Sequence, residues 1–303
     1  MFDLKCFGDS KSRKTFRALG KDNYSMLNAV VTGAASGLGR ALAMVLARRG
    51  AHVLIADINK DGAKETLRMV RNLGGTGEVF ICDVSRKEDV QKMADHCFTT
   101  WKRVDLLINN AGVASSGFVG DVPLKDWEWI IDISFWGMIY GCHYFIPRMK
   151  AQGAGGHIVN VASAAGLLCM PEMAPYNVVK AGIISLSETI KTELAPHGIG
   201  VTVVCPTFFN TGLSKTLRYV DPFQKTFSTA AFENGRLSAE KIAGMIMKTV
   251  DKNRLYLIPQ MTGKFAWLMK RFSPGLFYYS IAYMMRRKIG ERFLLFLARK
   301  GLT

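Results

Sequence analysis

A glycine-rich turn set between an apolar run and a helix constrains this chain more than any other feature. Leu27-Asn28-Ala29-Val30-Val31-Thr32 reads as a short strand, and Thr32-Gly33-Ala34-Ala35-Ser36-Gly37-Leu38-Gly39 turns it into a helix running to about Arg49. The next apolar run, Ala51–Ala56, ends in Asp57, eighteen residues after Gly39. Glycines let a backbone approach a pyrophosphate closely, and the free N–H groups of a helix start attract its charge. A carboxylate at the tip of the second strand accepts ribose hydroxyls and repels a 2′-phosphate, which favours NAD over NADP. The plainer alternative is a βαβ turn with a surface aspartate.

The alternation continues down the chain. Helix 60–73 leads to strand Val79–Asp83, and helix 86–101 to strand Val104–Asn109, which ends in Asn109-Asn110-Ala111-Gly112. One long helix covers about 124–150, strand 157–162 ends at Ser163, and helix 175–195 precedes strand Ile199–Cys205. Helix 238–251 and a strand near 254–259 close the series. Repeated βα units predict an α/β fold, a doubly wound parallel sheet with helices on both faces. Ligands of such sheets sit beyond the carboxyl ends of the strands, the edge where Asp83, Asn109, Ser163 and Pro206 fall. Three segments result: an arm at 1–25, a dinucleotide-binding catalytic domain at 26–260 and a basic amphipathic extension at 261–303.

Tyr176-Asn177-Val178-Val179-Lys180 lies in the predicted helix 175–195, thirteen residues after Ser163. Positions i and i+4 share a helix face, so the phenol and the ammonium stand side by side. A phenol of ordinary pKa ~10 is a poor proton carrier at neutral pH, and a neighbouring cation favours its phenolate.

In this order and spacing the motifs resemble the short-chain dehydrogenase/reductase family, the branch with a Thr-Gly-x-x-x-Gly-x-Gly turn, over about residues 27–260. The resemblance implies an NAD(P)-dependent oxidoreductase acting on CH–OH groups. Tyr176 then resembles the general acid-base, Lys180 the cation that lowers its pKa and holds the nicotinamide ribose, and Ser163 the hydroxyl that orients the substrate oxygen. Cofactor contacts are implied at Gly33, Ser36, Gly37, Leu38, Gly39, Asp57, Asp83, Val84, Asn110, Ala111, Gly112, Tyr176, Lys180, Pro206 and Thr211. Asp83 could instead neighbour a helix N-cap, and Thr211 could be a loop hydroxyl. Two positions depart from the family. Ser134 stands where an Asn usually holds a water in a proton relay, and Thr207 follows Pro206 where glycine is usual. A nucleotide-binding sensor or scaffold without turnover is the alternative function, favoured only by Ser134.

Composition separates the remaining readings. The chain of 303 residues has a formal net charge of +16. Half of that excess comes from Met261–Thr303, with nine Lys or Arg against Glu291 alone. Its longest uncharged run, Phe272–Met285, is 14 residues, short of the ~20 a spanning helix needs. Aromatics interleaved with cations suggest a helix lying in a membrane interface. The other reading docks this face on the catalytic domain or a second subunit. No base-reading motif accompanies the charge, so no nucleic acid is expected. The six cysteines lack metal-ligand spacing, so no metal is expected and reduced thiols in a cytoplasmic setting fit best. A segment from Phe208 to Arg236, rich in Phe and Leu, reads as a loop over a lipophilic alcohol or ketone, unless its aromatics pack onto the core. The resemblance adds a homodimer or homotetramer built through helices 124–150 and 175–195. Ser134→Asn, which restores the usual relay residue, is expected to leave turnover unchanged or raise it, as read by nicotinamide absorbance.

Overall fold

Alternate residues of a strand face opposite ways, and here both ways are apolar. In β1 (Asn28–Thr32) Ala29 and Val31 enter one buried layer and Val30 the other. β2 (His52–Asp57) repeats the pattern, with Val53 and Ile55 in the first layer and Leu54 in the second. Strands buried on both faces need helices on both faces. The computed structural model describes residues 27–287 and 290–301. The arm expected at 1–25 lies outside the described residues.

Seven parallel strands form the main sheet in the order β3-β2-β1-β4-β6-β7-β9. The others are β3 (Thr76–Ile81), β4 (Leu106–Asn109), β6 (Gly156–Val161), β7 (Ile199–Val204) and β9 (Tyr256–Leu257). A separate two-residue pair joins β5 (Ser115–Ser116) to β8 (Arg218–Tyr219). α1 (Gly37–Arg48) and α9 (Ala239–Asp251) belong to the layer of Val31; α3 (Lys87–Thr100), α5 (Gly137–Ala151) and α7 (Ala174–Glu193) belong to that of Val30. α2 (Lys60–Asn72) opens where the Asn59 side chain accepts from Gly62 N, and α9 where Ser238 accepts from Lys241 N, each filling an orphan donor. The strand order reverses between β1 and β4, which places a crevice at their carboxyl ends.

Three expectations are corrected. The helix expected over 124–150 is α4 (Leu124–Ile130), a π-helical turn at Ile131–Trp136 and then α5. π turns are rare and concentrate at functional sites; this one contains Ser134. β3 stops at Ile81, so Asp83 lies in the following turn, not at the strand tip. The stretch Phe208–Arg236 is no loop. It contains a 3-10 turn at Gly212–Thr216, β8 and α8 (Pro222–Glu233). α8 starts at a capping box in which Asp221 and Gln224 satisfy each other's backbone. Part of its aromatics pack inward: Phe208 meets Phe227 and Phe232 edge-on, and Phe209 and Phe232 are buried, whereas Tyr219 is exposed.

The short helix α6 (Ala164–Leu168) begins at Ser163. After β9 come α10 (Met261–Phe272), α11 (Pro274–Arg286) and α12 (Gly290–Arg299). Among the described residues no helix is long and apolar enough to cross a membrane.

His157 of β6 is fully buried, with Nε2 2.8 Å from Thr202 Oγ1 of β7. The Thr202 hydroxyl donates to Arg254 O at 2.7 Å, so its single proton is used and His157 Nε2 is the donor of the pair. Burial pushes the imidazole down from 6.5 to about 3, helped by the Lys191 cation. The unfolded chain therefore binds this proton in a window where the folded chain does not, and stability falls as pH drops from 6.5 toward 3. Denaturant titrations should show an acid loss on the order of 4 kcal/mol at this site, and His157→Gln should flatten the slope over that window.

Candidate active site

The crevice is built on Thr32, the last residue of β1. Its Oγ1 accepts from Asn110 N at 3.0 Å and Ala111 N at 3.1 Å, while Asn110 Nδ2 donates to Thr32 O at 2.9 Å and Gly33 O at 3.2 Å. The two turns beyond β1 and β4 are thereby bolted together. A Cβ on Gly33 (φ +65°) would lie 2.8 Å from Ala111 Cα, and one on Gly39 would lie 2.1 Å from Gly33 O. Only glycine fits either place. Ser36 occupies the N-cap of α1 but makes no side-chain cap bond, and the first turn carries no acid. The N–H groups around Ser36, Gly37 and Leu38 thus remain suited to an anion. Thr32, Val84, Asn109, Ala111, Gly137 and Met138 line a small hollow at the ends of β1 and β4.

Asp57 ends β2. Its carboxylate accepts from Ala35 N and Asn59 N, both at 2.8 Å, so it braces the glycine turn from the far side. The Arg40 guanidinium is turned onto Ala35 O, Gly62 O and Thr66 Oγ1. Asp83 accepts from Ser85 N and Ser85 Oγ and so shapes its own turn; Val84 beside it is buried. Thr211 likewise accepts from Leu213 N, the loop role, yet its Cβ is 3.7 Å from where a Gly37 Cβ would stand. These residues fit a dinucleotide: a tight glycine cradle, an uncapped helix start and a carboxylate at the second strand's tip.

Ser163, Tyr176 and Lys180, the side chains expected to react, lie together near the ends of β6 and β7. Ser163 Oγ donates to Pro206 O at 3.2 Å and accepts from Ala165 N at 3.1 Å. Tyr176 and Lys180 share the buried face of α7, with the ammonium 5.5 Å from the phenol ring centroid. Lys180 Nζ donates to Val161 O at 3.0 Å. The acidified phenol expected from this pairing is not what the structure holds. Burial pushes Tyr176 up to about 12, and the Ser163 hydroxyl is what works against it. Burial likewise pushes Lys180 down to about 8. Desolvation disfavours both charges, and the bond the amine makes is to the Val161 carbonyl.

Ser134 is fully buried; its Oγ accepts from Val113 N at 2.9 Å and donates to Val113 O at 3.4 Å. It fastens the backbone just after Gly112, where a Cβ would stand 3.3 Å from Ser134 Oγ and 3.6 Å from Lys180 Nζ. Thr207 N donates to Gln260 Oε1 at 3.0 Å, so the residue replacing the usual glycine ties the β7 end to the chain entering α10.

Sequence reasoning missed the buried polar line behind the site. Asn109 Nδ2 donates to Asn160 Oδ1 at 3.0 Å, Asn160 Nδ2 to Ser187 Oγ at 3.0 Å, and Ser187 Oγ to Ile183 O at 2.7 Å. It links β4 and β6 to the helix carrying Tyr176. The one signal was Asn160, a lone amide in the apolar run His157–Val161. Also missed was Glu172, at φ +61°, whose carboxylate accepts from Gln224 Nε2 at 2.9 Å and whose carbonyl accepts from Gly117 N at 2.7 Å. It clips the segment before Tyr176 to α8.

A glycine cradle at a strand-order switch, facing a Ser, Tyr and Lys, defines a nicotinamide-dependent oxidoreductase. The chain belongs to the short chain dehydrogenase family, whose model matches residues 27–220. It is 35% identical over 242 residues to SadH of Mycobacterium tuberculosis, named an oxidoreductase, covering 78% of this chain and 87% of that one. Identity is 31% over 245 residues to a CLA biosynthesis dehydrogenase/reductase of Lactiplantibacillus plantarum, covering 75% and 86%. A crystal structure of a short chain dehydrogenase/reductase from Burkholderia phymatum in complex with NAD superposes with a TM-score of 0.79 at 29% identity, covering 82% of this chain and 94% of that one. The general reaction of the family is NAD(P)-dependent dehydrogenation or reduction at CH–OH groups.

A methyl at position 39 must displace the Gly33 carbonyl. Gly39→Ala is expected to weaken NADH binding about ten- to hundredfold, the equivalent of a 1–3 kcal/mol overpacking penalty. Gly244→Ala, at a helix position with open space around it, should leave binding unchanged in the same fluorescence titration.

Proposed function

We propose that this chain oxidises a lipophilic alcohol, or reduces the corresponding ketone, with NAD in preference to NADP. What supports the reading is the grouping of Ser163, Tyr176 and Lys180, with Lys180 Nζ 3.6 Å from where a Gly112 Cβ would stand, in the turn that Asn110 fastens to the glycine turn. A bound nicotinamide supplies the carbon that gives or takes the hydride. The glycine turn and the start of α1 would bind the pyrophosphate, Asp57 the adenosine ribose, and Asn110, Ala111 and Gly112 the floor beneath the nicotinamide. With Arg40 tied down among backbone carbonyls, the carboxylate of Asp57 is the charge a 2′-phosphate would meet, which favours NAD. Asp83, Val84, Pro206 and Thr211 complete the proposed cofactor contacts.

Tyr176 exchanges a proton with the substrate oxygen, and Ser163 holds that oxygen by a hydrogen bond. A phenol raised by burial is neutral at neutral pH, so it serves first as the donor to a carbonyl oxygen. Lys180, an amine poised near 8, compensates the charge left on the phenol once the proton has gone. Ser134 supports this arrangement by holding Val113 and so the Gly112 backbone against Lys180.

Tyr219, Phe223 and Leu217 around α8 favour an apolar substrate. Exposed Leu124, Trp136 and Val178 on α4, the π turn and α7 favour a homodimer or homotetramer through those helices. The exposed apolar and basic surface of α10 and α11 favours peripheral membrane contact. Tyr176→Phe is expected to lower turnover of lipophilic alcohols about 10²–10⁴-fold. NADH should still bind within a factor of about three and more tightly than NADPH. Undiminished turnover would remove the acid-base role.

A further inference from the structure

α10 is anchored to the site at both ends. At its start, a Cβ on Gly263 would lie 2.9 Å from Thr207 Cγ2 and 3.9 Å from Ala164 Cβ. At its far end Lys270 Nζ donates to Leu167 O at 2.7 Å. Tyr278 of α11 then donates to Leu168 O at 3.1 Å. The short helix α6, which begins at Ser163, is therefore gripped from outside by the two helices that follow the sheet.

The other face of this pair is bare. Met261, Phe265, Leu268, Met269 and Phe272 recur at i, i+4, i+7, i+8 and i+11 of α10, and all are exposed, Phe265 at 67% and Phe272 at 90%. Leu276, Tyr279 and Tyr283 continue the stripe along α11 at i, i+3 and i+7, again exposed. Lys264, Arg271, Arg286 and Arg287 are interspersed with it, all exposed, and no acidic residue occurs between Met261 and Gly290. Two copies meeting through this face would set cation against cation. An anionic lipid surface instead neutralises the cations and takes the aromatics into the headgroup boundary. At 12 and 13 residues the helices are about 18–20 Å long, which suits lying in that boundary and not crossing it.

We propose that α10 and α11 seat on an anionic bilayer and that this seating fixes α6, so the substrate side behind Ser163 is set and loaded at the membrane surface. The inference rests on the peripheral contact and lipophilic substrate argued above, and it adds a mechanical link from lipid to active-site helix. The link runs through Lys270 and Tyr278 to the carbonyls of Leu167 and Leu168. It gives the Thr207 departure a purpose, since that side chain is the pad on which α10 begins.

The full chain is to be floated with phosphatidylcholine vesicles containing or lacking phosphatidylglycerol, with hydrogen exchange followed over residues 164–169. Flotation only with phosphatidylglycerol, and exchange slowed there roughly fivefold, are expected. Phe265→Glu with Phe272→Glu should abolish both while NADH binding persists. Tyr278→Phe should keep flotation and lose most of the protection. Flotation without protection overturns the link alone and leaves the peripheral contact standing. Absence of flotation overturns both. Self-association abolished by the Glu pair, with no flotation, would make the face a contact between copies and overturn the proposal.

Discussion

A single hydroxyl at the end of β1 receives the backbone of the neighbouring strand's turn. Thr32 Oγ1 takes two N–H groups from Asn110 and Ala111, while the Asn110 amide reaches back to two carbonyls of the glycine turn. The strand order reverses at this seam, so no sheet hydrogen bonds join the turns beyond it. Side chains must do so. Each bond is worth only about 1 kcal/mol net, but the group left unpaired in a half-buried crevice would cost more. The cradle is narrow because these bonds close it, and the glycines follow from that narrowness.

Behind the seam the same logic carries charge. Lys180 sits in an apolar layer with a carbonyl for its partner, and Tyr176 is buried beside it. Both lose solvation, so both are held toward neutrality. The line Asn109–Asn160–Ser187 keeps this arrangement in register with the sheet, because each amide in it would be costly to leave unpaired in the core.

The periphery is built to different rules. α8 folds its aromatics onto one another and clips the segment before Tyr176 through Gln224 and Glu172. α10 and α11 do the reverse. They grip α6 with polar tips and leave their apolar stripes uncovered. One element covers its apolar side chains against the domain, and the other leaves them open.

Much of this was legible in the residues alone. The glycine spacing, the alternation of strands and helices and the four-residue step from Tyr176 to Lys180 are local, and local geometry is what a sequence encodes directly. The parallel sheet and the meeting of Ser163, Tyr176 and Lys180 follow from them. Local pattern could not settle which way a buried charge is pushed, because desolvation comes from residues distant in the chain. It could not reveal the Asn109–Asn160–Ser187 line, whose members lie on three elements. Nor could it decide whether an aromatic turns inward, as Phe232 does, or outward, as Phe272 does. The sequence by itself determined the fold and the candidate site side chains; the tertiary structure alone decided their solvation and which apolar faces stay open, because both depend on how distant segments exclude water together.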